Sequence, residues 1–290
     1  MNKNLEVALP NGNVCYLTST AMRTVAKFLR WETFNRGQYR RAGFELRADD
    51  TVIDVGANIG MFALWTEPQI PGGRLICIEP NPSALECLRI NISQNELRNV
   101  IIVPAAAGNE NGTMELICHP GWEALAHSAS VDAPWFYTKS RMGRLVRWLL
   151  RGSLRHAGQA VAAKSTVVQQ MPLSRIMDEY GVTRVNLLKI DCEGSEYEVL
   201  RSLDTAHWAK IDRVVIEYHD FGDDRNHREL IEILHNNGFD AEVAHTIMEN
   251  LSALFGARVG IIWAKKRGLR RDVEVERVNR SRRARVERAA

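Results

Sequence analysis

The sequence predicts an α/β fold: a mostly parallel sheet of seven strands, helices on both faces, and a terminal antiparallel hairpin. Three observations predict it. Short apolar runs alternate with amphipathic helical stretches through the middle of the chain. The runs are almost continuously apolar, as strands covered on both faces must be. The last two runs follow one another without a helix-length crossover pattern.

Taken in order, residues 14–17 read as a short strand and residues 19–41 as a helix. The polar face of that helix is rich in Arg, and its apolar positions include Val25, Phe28, Leu29 and Phe34. The core strands are Thr51–Val55, Arg74–Ile78, residues 100–104, residues 185–190 and residues 213–218. Helices fill the gaps at about 60–67, 83–95, 195–203 and 227–237, and residues 240–245 and 258–264 make the hairpin. The chain therefore divides into an N-terminal strand and helix (1–48) packed on a core domain (49–264) and a basic tail (265–290), disordered or helical. Residues 119–165 interrupt the alternation as a basic insertion.

Charge is segregated. The formal net charge is +3, which gives no reason to expect nucleic-acid binding. Residues 265–290 hold 11 Lys+Arg against 4 Asp+Glu, and residues 134–158 hold 6 against none, so the rest of the chain is acidic. In the insertion, Arg141, Arg144, Arg147, Arg151 and Arg155 recur every three or four residues, opposite Leu145, Val146 and Leu149. That is a basic amphipathic helix carrying Trp148, read either as a lid on the core or as a peripheral contact with an anionic membrane. Five isolated cysteines fit neither a zinc knuckle nor a disulfide framework, and reduced thiols in a cytosol are expected. No run approaches the ~20 apolar residues of a membrane span, and the N-terminus does not resemble a signal peptide.

The chemistry is read from the first core strand and its turn, Val52-Ile53-Asp54-Val55-Gly56-Ala57-Asn58-Ile59-Gly60. Gly56 allows a sharp turn and close backbone approach to a ligand, and Gly60 lets the next helix start nearby without a Cβ clash. The spacing is GxxxG; where the dinucleotide pattern has its second glycine stands Asn58. A ligand with one nucleoside and a small charged tail fits better than a pyrophosphate. Glu79, 19 residues past Gly60 and just after the second strand, is placed to accept both hydroxyls of a ribose. Asp54 either hydrogen-bonds the turn or faces an ammonium.

This constellation resembles the class I S-adenosylmethionine (SAM) methyltransferases of Rossmann-like fold. The wider pattern is similar to the FkbM family: VIDVGANIG (52–60), IEPNP (78–82), PAAAGNENGTMEL (104–116), LLKIDCEGSEYEVL (187–200) and IEYHD (216–220), in order. The resemblance implies methyl transfer from SAM to a hydroxyl oxygen of a sugar, a glycolipid or a polyketide-type product. It implies that Asp54, Gly56, Ala57, Asn58 and Gly60 line the methionine end of SAM, that Glu79 holds the ribose with Asn81 nearby, and that the adenine lies at residues 105–107, around Ala106. An NAD-dependent oxidoreductase shares the sheet and the ribose carboxylate, but GxxxG and KIDCEGSE disfavour it. A nucleic-acid-associated module working through the tail is a further alternative.

An alcohol needs a general base or a metal before it attacks a methyl group. Candidates come from the ends of the fourth and fifth strands: Asp191 and Glu193 at one, Glu217, His219 and Asp220 at the other. Either His219 or Asp191 is the base, or Asp191, Glu217 and His219 hold Mg²⁺ or a similar divalent cation. Among the other histidines only His127 is a candidate acceptor contact.

Overall fold

In the computed structural model, residues 5–118, 126–129, 164–220, 226–244 and 258–269 are described. The strands and helices run β1 (Glu6–Ala8), β2 (Val14–Tyr16), α1 (Arg23–Arg30), β3 (Thr51–Val55), α2 (Met61–Thr66), β4 (Arg74–Ile78) and α3 (Pro82–Gln94). They continue with β5 (Val100–Val103), β6 (Ala106–Gly108), β7 (Gly112–Cys118), β8 (His127–Ser128), β9 (Lys164–Pro172), α4 (Leu173–Glu179) and β10 (Leu187–Ile190). The chain closes with α5 (Glu196–Arg201), α6 (Thr205–Lys210), β11 (Arg213–Asp220), α7 (His227–Asn236), β12 (Phe239–Ala244) and β13 (Arg258–Lys266). Among the described residues no helix is long and apolar enough to cross a membrane.

The two-residue period of the strands builds two cores, one on each face of the sheet. Ile53 and Val55, Ile76 and Ile78, Leu188 and Ile190, and Val214 and Ile216 point to one face. Leu173 and Ile176 of α4, Trp208 of α6, and Leu230 and Leu234 of α7 cover it. Val52, Leu75, Leu187 and Val215 point to the other, against Phe62 and Leu64 of α2 and Leu85 and Leu88 of α3. Full burial of each such side chain contributes about 1.5–3 kcal/mol, which is why nearly every strand position must be apolar.

The seven strands are ordered β12-β13-β11-β10-β3-β4-β5. β10, β11, β3, β4 and β5 are parallel, while β13 runs antiparallel to β11 and pairs with β12 in the expected hairpin. The order reverses between β3 and β10, so a crevice opens at their carboxyl ends. At the opposite end a buried polar cluster pins the strand starts: Arg213 Nη2 lies 2.8 Å from Asp50 Oδ2, and its Nε donates to the Asn186 carbonyl at 2.8 Å.

The structure differs from the sequence reading in several places, beginning with β1, α4 and α6, to which the sequence pattern assigns no element. The helix expected over 19–41 is shorter: a 3-10 turn leads into α1, a π-helical turn follows over Trp31–Arg36, and Gly37 in the left-handed region (φ 66°) ends it. β6, β7, β8 and β9 form a second sheet, ordered β6-β9-β7-β8, over residues to which the sequence pattern assigns no strand. β13 runs on to Lys266, and Arg267 lies 3.6 Å from Asp240 and donates to the His235 carbonyl, so residues 265–267 belong to the body of the fold rather than to a tail. The basic helix over 134–158, most of the tail, and His119, His156 and His245 lie outside the described residues.

The N-terminal hairpin is held to the fold by α3. Asn95 Nδ2 donates to the Val14 carbonyl and its Oδ1 accepts from the Val14 N–H, both at 2.8 Å. Asn91, fully buried, donates to the Ile59 and Tyr16 carbonyls. This brings α1 and the π-helical turn over the crevice.

Candidate active site

A cavity of about 470 Å³ occupies the crevice at the switch point. One wall is the loop after β3. Gly56 stands in the left-handed region (φ 78°), and a Cβ there would come within 1.7 Å of the Asp191 carbonyl oxygen, so only glycine lets the loops after β3 and β10 touch. Gly56, Ala57 and Asn58 line the cavity. Gly60 does not. Its Cβ would strike the Leu88 side chain at 2.7 Å, which makes it the packing glycine between α2 and α3.

Glu79 sits at the end of β4 with both carboxylate oxygens anchored. Oε2 accepts from the Asn58 N–H at 2.8 Å and Oε1 from the Asn81 N–H at 2.7 Å. Burial pushes its carboxyl up to about 7, against the pull of those two donors. Asn81 does not line the cavity; it is buried and caps α3, accepting from the Ser83 N–H. Ala106, Ala107, Met114 and Leu116 of the second sheet complete this end with apolar surface, and His127 and Ser128 of β8 lie beside them.

Asp54 lies beneath the cavity rather than on its wall, where it faces the side chain of Lys189. Lys189, the lone charge in the apolar strand β10, places Nζ 2.9 Å from Asp54 Oδ1 and 3.5 Å from Asp191 Oδ2, and donates to the Gly56 carbonyl at 3.1 Å. Burial opposes the charge on Lys189, but Asp54, Asp191 and the Tyr39 hydroxyl hold its ammonium well above the ordinary lysine range.

The other end of the cavity collects acids. Asp191, Glu193, Glu217 and His219 all line it. Among the described residues Glu193 is one of three non-glycine residues in the left-handed region (φ 51°), and Asn58, across the switch point, is another (φ 50°). Ligand atoms of Asp191, Glu217 and His219 lie within 4.8 Å of one another. His219 Nδ1 is 2.9 Å from Glu196 Oε1, and Nε2 is 3.7 Å from Glu193 Oε2. Burial first, and then neighbouring acids, push Glu193 and Glu217 up to about 8. Burial disfavours the imidazolium of His219, yet Glu193, Glu196 and Asp191 carry it well above the ordinary histidine range. Asp220 is turned elsewhere, to the Tyr197 hydroxyl and the His227 N–H.

Several residues of this site escaped the sequence reading. Glu32 on the π-helical turn, and Gln38 and Tyr39 just past Gly37, line the cavity from above; Gln38 Nε2 donates to Glu217 Oε2 at 2.7 Å. Glu32 is pushed up to about 8 by burial and by Asp191. It is the only acid in residues 19–41, the one hint the sequence offered. Lys189 and Glu196 stood inside KIDCEGSE without an assigned role.

Comparisons with known proteins identify the family. A family model described as the methyltransferase FkbM domain matches residues 54–241. The 31-O-demethyl-FK506 methyltransferase FkbM of Streptomyces tacrolimicus is 31% identical over 245 residues, 80% of this chain and 87% of the relative. Methyltransferase 1 of Beauveria bassiana is 28% identical over 217 residues, 73% of this chain and 81% of the relative. A SAM-dependent methyltransferase from Aquifex aeolicus superposes at a TM-score of 0.42 with 12% identity, over 84% of this chain and 95% of that one. The fold is the Rossmann-like one of class I SAM methyltransferases, and the chain belongs to the FkbM methyltransferase family.

Proposed function

We propose that this methyltransferase transfers the methyl group of SAM to a hydroxyl oxygen of a sugar, a glycolipid or a polyketide-type product. The observation that carries the reading is the single cavity joining Glu79 to His219 and Asp191 across the switch point. Its two ends suit two different partners.

The Glu79 end fits a nucleoside. A buried carboxylate with each oxygen already held by one N–H keeps lone pairs for a ribose diol, and added donors offset the cost of burying its charge. Ala106, Ala107, Met114 and Leu116 offer an apolar slot for a base, with no acid beside them among the described residues to receive an amino group. Gly56, Ala57 and Asn58 would take the amino-acid portion, with Asp54 and Gly60 shaping the loop from behind. When bound, SAM supplies a methyl group already activated on a sulfonium. The chain's own task is to hold an oxygen in line with it and to remove a proton.

His219 is the base in this reading. Asp191 Oδ2 is already engaged by the Lys189 ammonium at 3.5 Å, whereas His219 presents a ring edge to the cavity. With SAM bound, Nε2 of His219 would take the hydroxyl proton as the oxygen takes the methyl group, and S-adenosylhomocysteine would be the product released. Glu32, Glu193 and Glu217 are placed to accept hydrogen bonds from further hydroxyls of the acceptor.

One observation favours a second reading of the same cluster: Asp191, Glu217 and His219 are close enough to share a divalent cation. Such an ion would acidify the acceptor hydroxyl. Neither reading needs nucleic acid.

The test pairs binding with product analysis. Titration calorimetry should show SAM binding and no NAD binding. Labelled SAM incubated with hydroxylated probes, 31-O-demethyl-FK506 and simple glycosides among them, should label oxygen. NAD binding without SAM binding would sink the assignment of the cavity, and labelling at nitrogen or carbon would sink the O-methyl claim.

A further inference from the structure

We propose that Glu196 is the positioning residue of the site: it fixes which nitrogen of His219 meets the acceptor. Glu196 opens α5 and is completely buried, and it does not line the cavity, whereas His219 does. The imidazole therefore turns its Nδ1 edge away from the cavity, 2.9 Å from Glu196 Oε1, and its Nε2 edge towards it. Which ring nitrogen of a histidine carries its proton is set by the bond the other one makes. A carboxylate at Nδ1 accepts from Nδ1–H and leaves Nε2 as the working nitrogen.

The same oxygen does more. Glu196 Oε1 also accepts from the Gly194 N–H at 3.1 Å and the Cys192 N–H at 3.4 Å. It thus ties the turn that carries Glu193 to the end of β11, fixing the 3.7 Å approach of Glu193 to His219. Among the described residues Oε2 is buried without a hydrogen bond. A buried carboxylate with one bare oxygen is an expensive way to close a turn, and replacing buried ionic groups by well-packed apolar ones is often neutral for stability. The turn alone does not account for a glutamate here; the imidazole does. The arrangement serves either reading of His219, because a histidine acting as base and a histidine binding a metal both use a carboxylate to anchor the far nitrogen. The consequence for catalysis rests on the function proposed above, but the geometry does not.

The experiment uses full-length protein labelled with ¹⁵N-histidine, with S-adenosylhomocysteine added. Long-range ¹H–¹⁵N spectra, with His219 assigned by its disappearance in His219→Asn, should show a proton on Nδ1 protected from exchange. Glu196→Gln keeps a carbonyl oxygen at the same place and should retain that proton. Glu196→Leu should lose it, with S-adenosylhomocysteine affinity within about twofold of wild type. A wild-type spectrum with the proton on Nε2 and a bare Nδ1 overturns the proposal, and so does a folded Glu196→Leu protein that keeps protected Nδ1–H. If Glu196→Leu fails to fold, the wild-type spectrum and Glu196→Gln decide. Failure of the wild type to bind S-adenosylhomocysteine would count against the proposed function and leave this readout intact.

Discussion

Lys189 and Asp54 are register partners on adjacent parallel strands, 2.9 Å apart as opposite charges with almost no exposure. The pair links the floor of the cavity to the Gly56 carbonyl above it. Removing one partner leaves the other charge buried alone, so Lys189→Met should cost about 3–5 kcal/mol in urea denaturation. Asp54→Asn combined with Lys189→Met should be less destabilised than Lys189→Met by at least ~1 kcal/mol. Equal stability of single and double variants would show that the two charges do not support each other.

Gly56 is the next point of vulnerability. Gly56→Ala brings a Cβ to 1.7 Å from the Asp191 carbonyl in a backbone conformation that already disfavours side chains. The expected loss is at least ~3 kcal/mol, together with SAM binding, since the loops after β3 and β10 must part. Gly112→Ala is the control. No atom lies within 4 Å of a Cβ at that position, and its melting temperature should stay near wild type.

Glu79 tests the nucleoside end by itself. Glu79→Ala strands the Asn58 and Asn81 N–H groups and removes the acceptor for a diol. SAM affinity should fall roughly 10- to 100-fold, as expected for losing charge-assisted hydrogen bonds of about 1.5–3 kcal/mol. Unchanged affinity by calorimetry would place the ribose elsewhere.

The parts legible in the sequence were those fixed by local pattern. Apolar runs such as Val52–Val55 and Leu187–Ile190 can bury both faces only inside a parallel sheet, so the five central strands and the closing hairpin follow. Once those strands are parallel, residues at or just past their carboxyl ends meet, which brings Gly56, Glu79, Asp191, Glu193, Glu217 and His219 to one cavity. Glu32, Gln38 and Tyr39 could not be placed this way. They reach the cavity because α1 gives way to a π-helical turn that stops at Gly37, and because Asn91 and Asn95 dock the N-terminal hairpin. Those are long-range contacts with no periodic trace. The second sheet was missed for a related reason: β9 is mostly polar and buries only Val168, and it pairs with β7 across a long stretch of chain.

The acids of the cavity make stability depend on pH in a definite direction. Glu32, Glu193 and Glu217 are each pushed from an ordinary 4.5 to about 8 in the folded protein. The folded state therefore holds more protons than the unfolded one between those values, and stability should fall as pH rises from about 4.5 to about 8. Urea midpoints measured without cofactor across that range should decline, and Glu217→Gln should flatten the slope. A midpoint that rises with pH over the same interval would mean that these carboxyls ionise freely.

Base and cation at His219 predict different responses from one enzyme. As a base His219 must first lose its proton, and Glu193, Glu196 and Asp191 hold that proton well above the ordinary histidine range. The rate should then climb about tenfold per pH unit on the acidic side of that titration, reaching its plateau only in alkaline solution. His219→Asn should abolish this limb and lower kcat by about 10²–10⁴-fold while leaving the Kd for SAM near wild type, and EDTA should have no effect. A shared cation reverses the pattern: EDTA removes activity, added Mg²⁺ or Mn²⁺ restores it, and Glu217→Gln is as damaging as His219→Asn. The base reading makes Glu217→Gln milder, because Glu217 then meets only Gln38 and the acceptor. Full activity of His219→Asn both with and without EDTA would remove both roles and turn attention to Asp191.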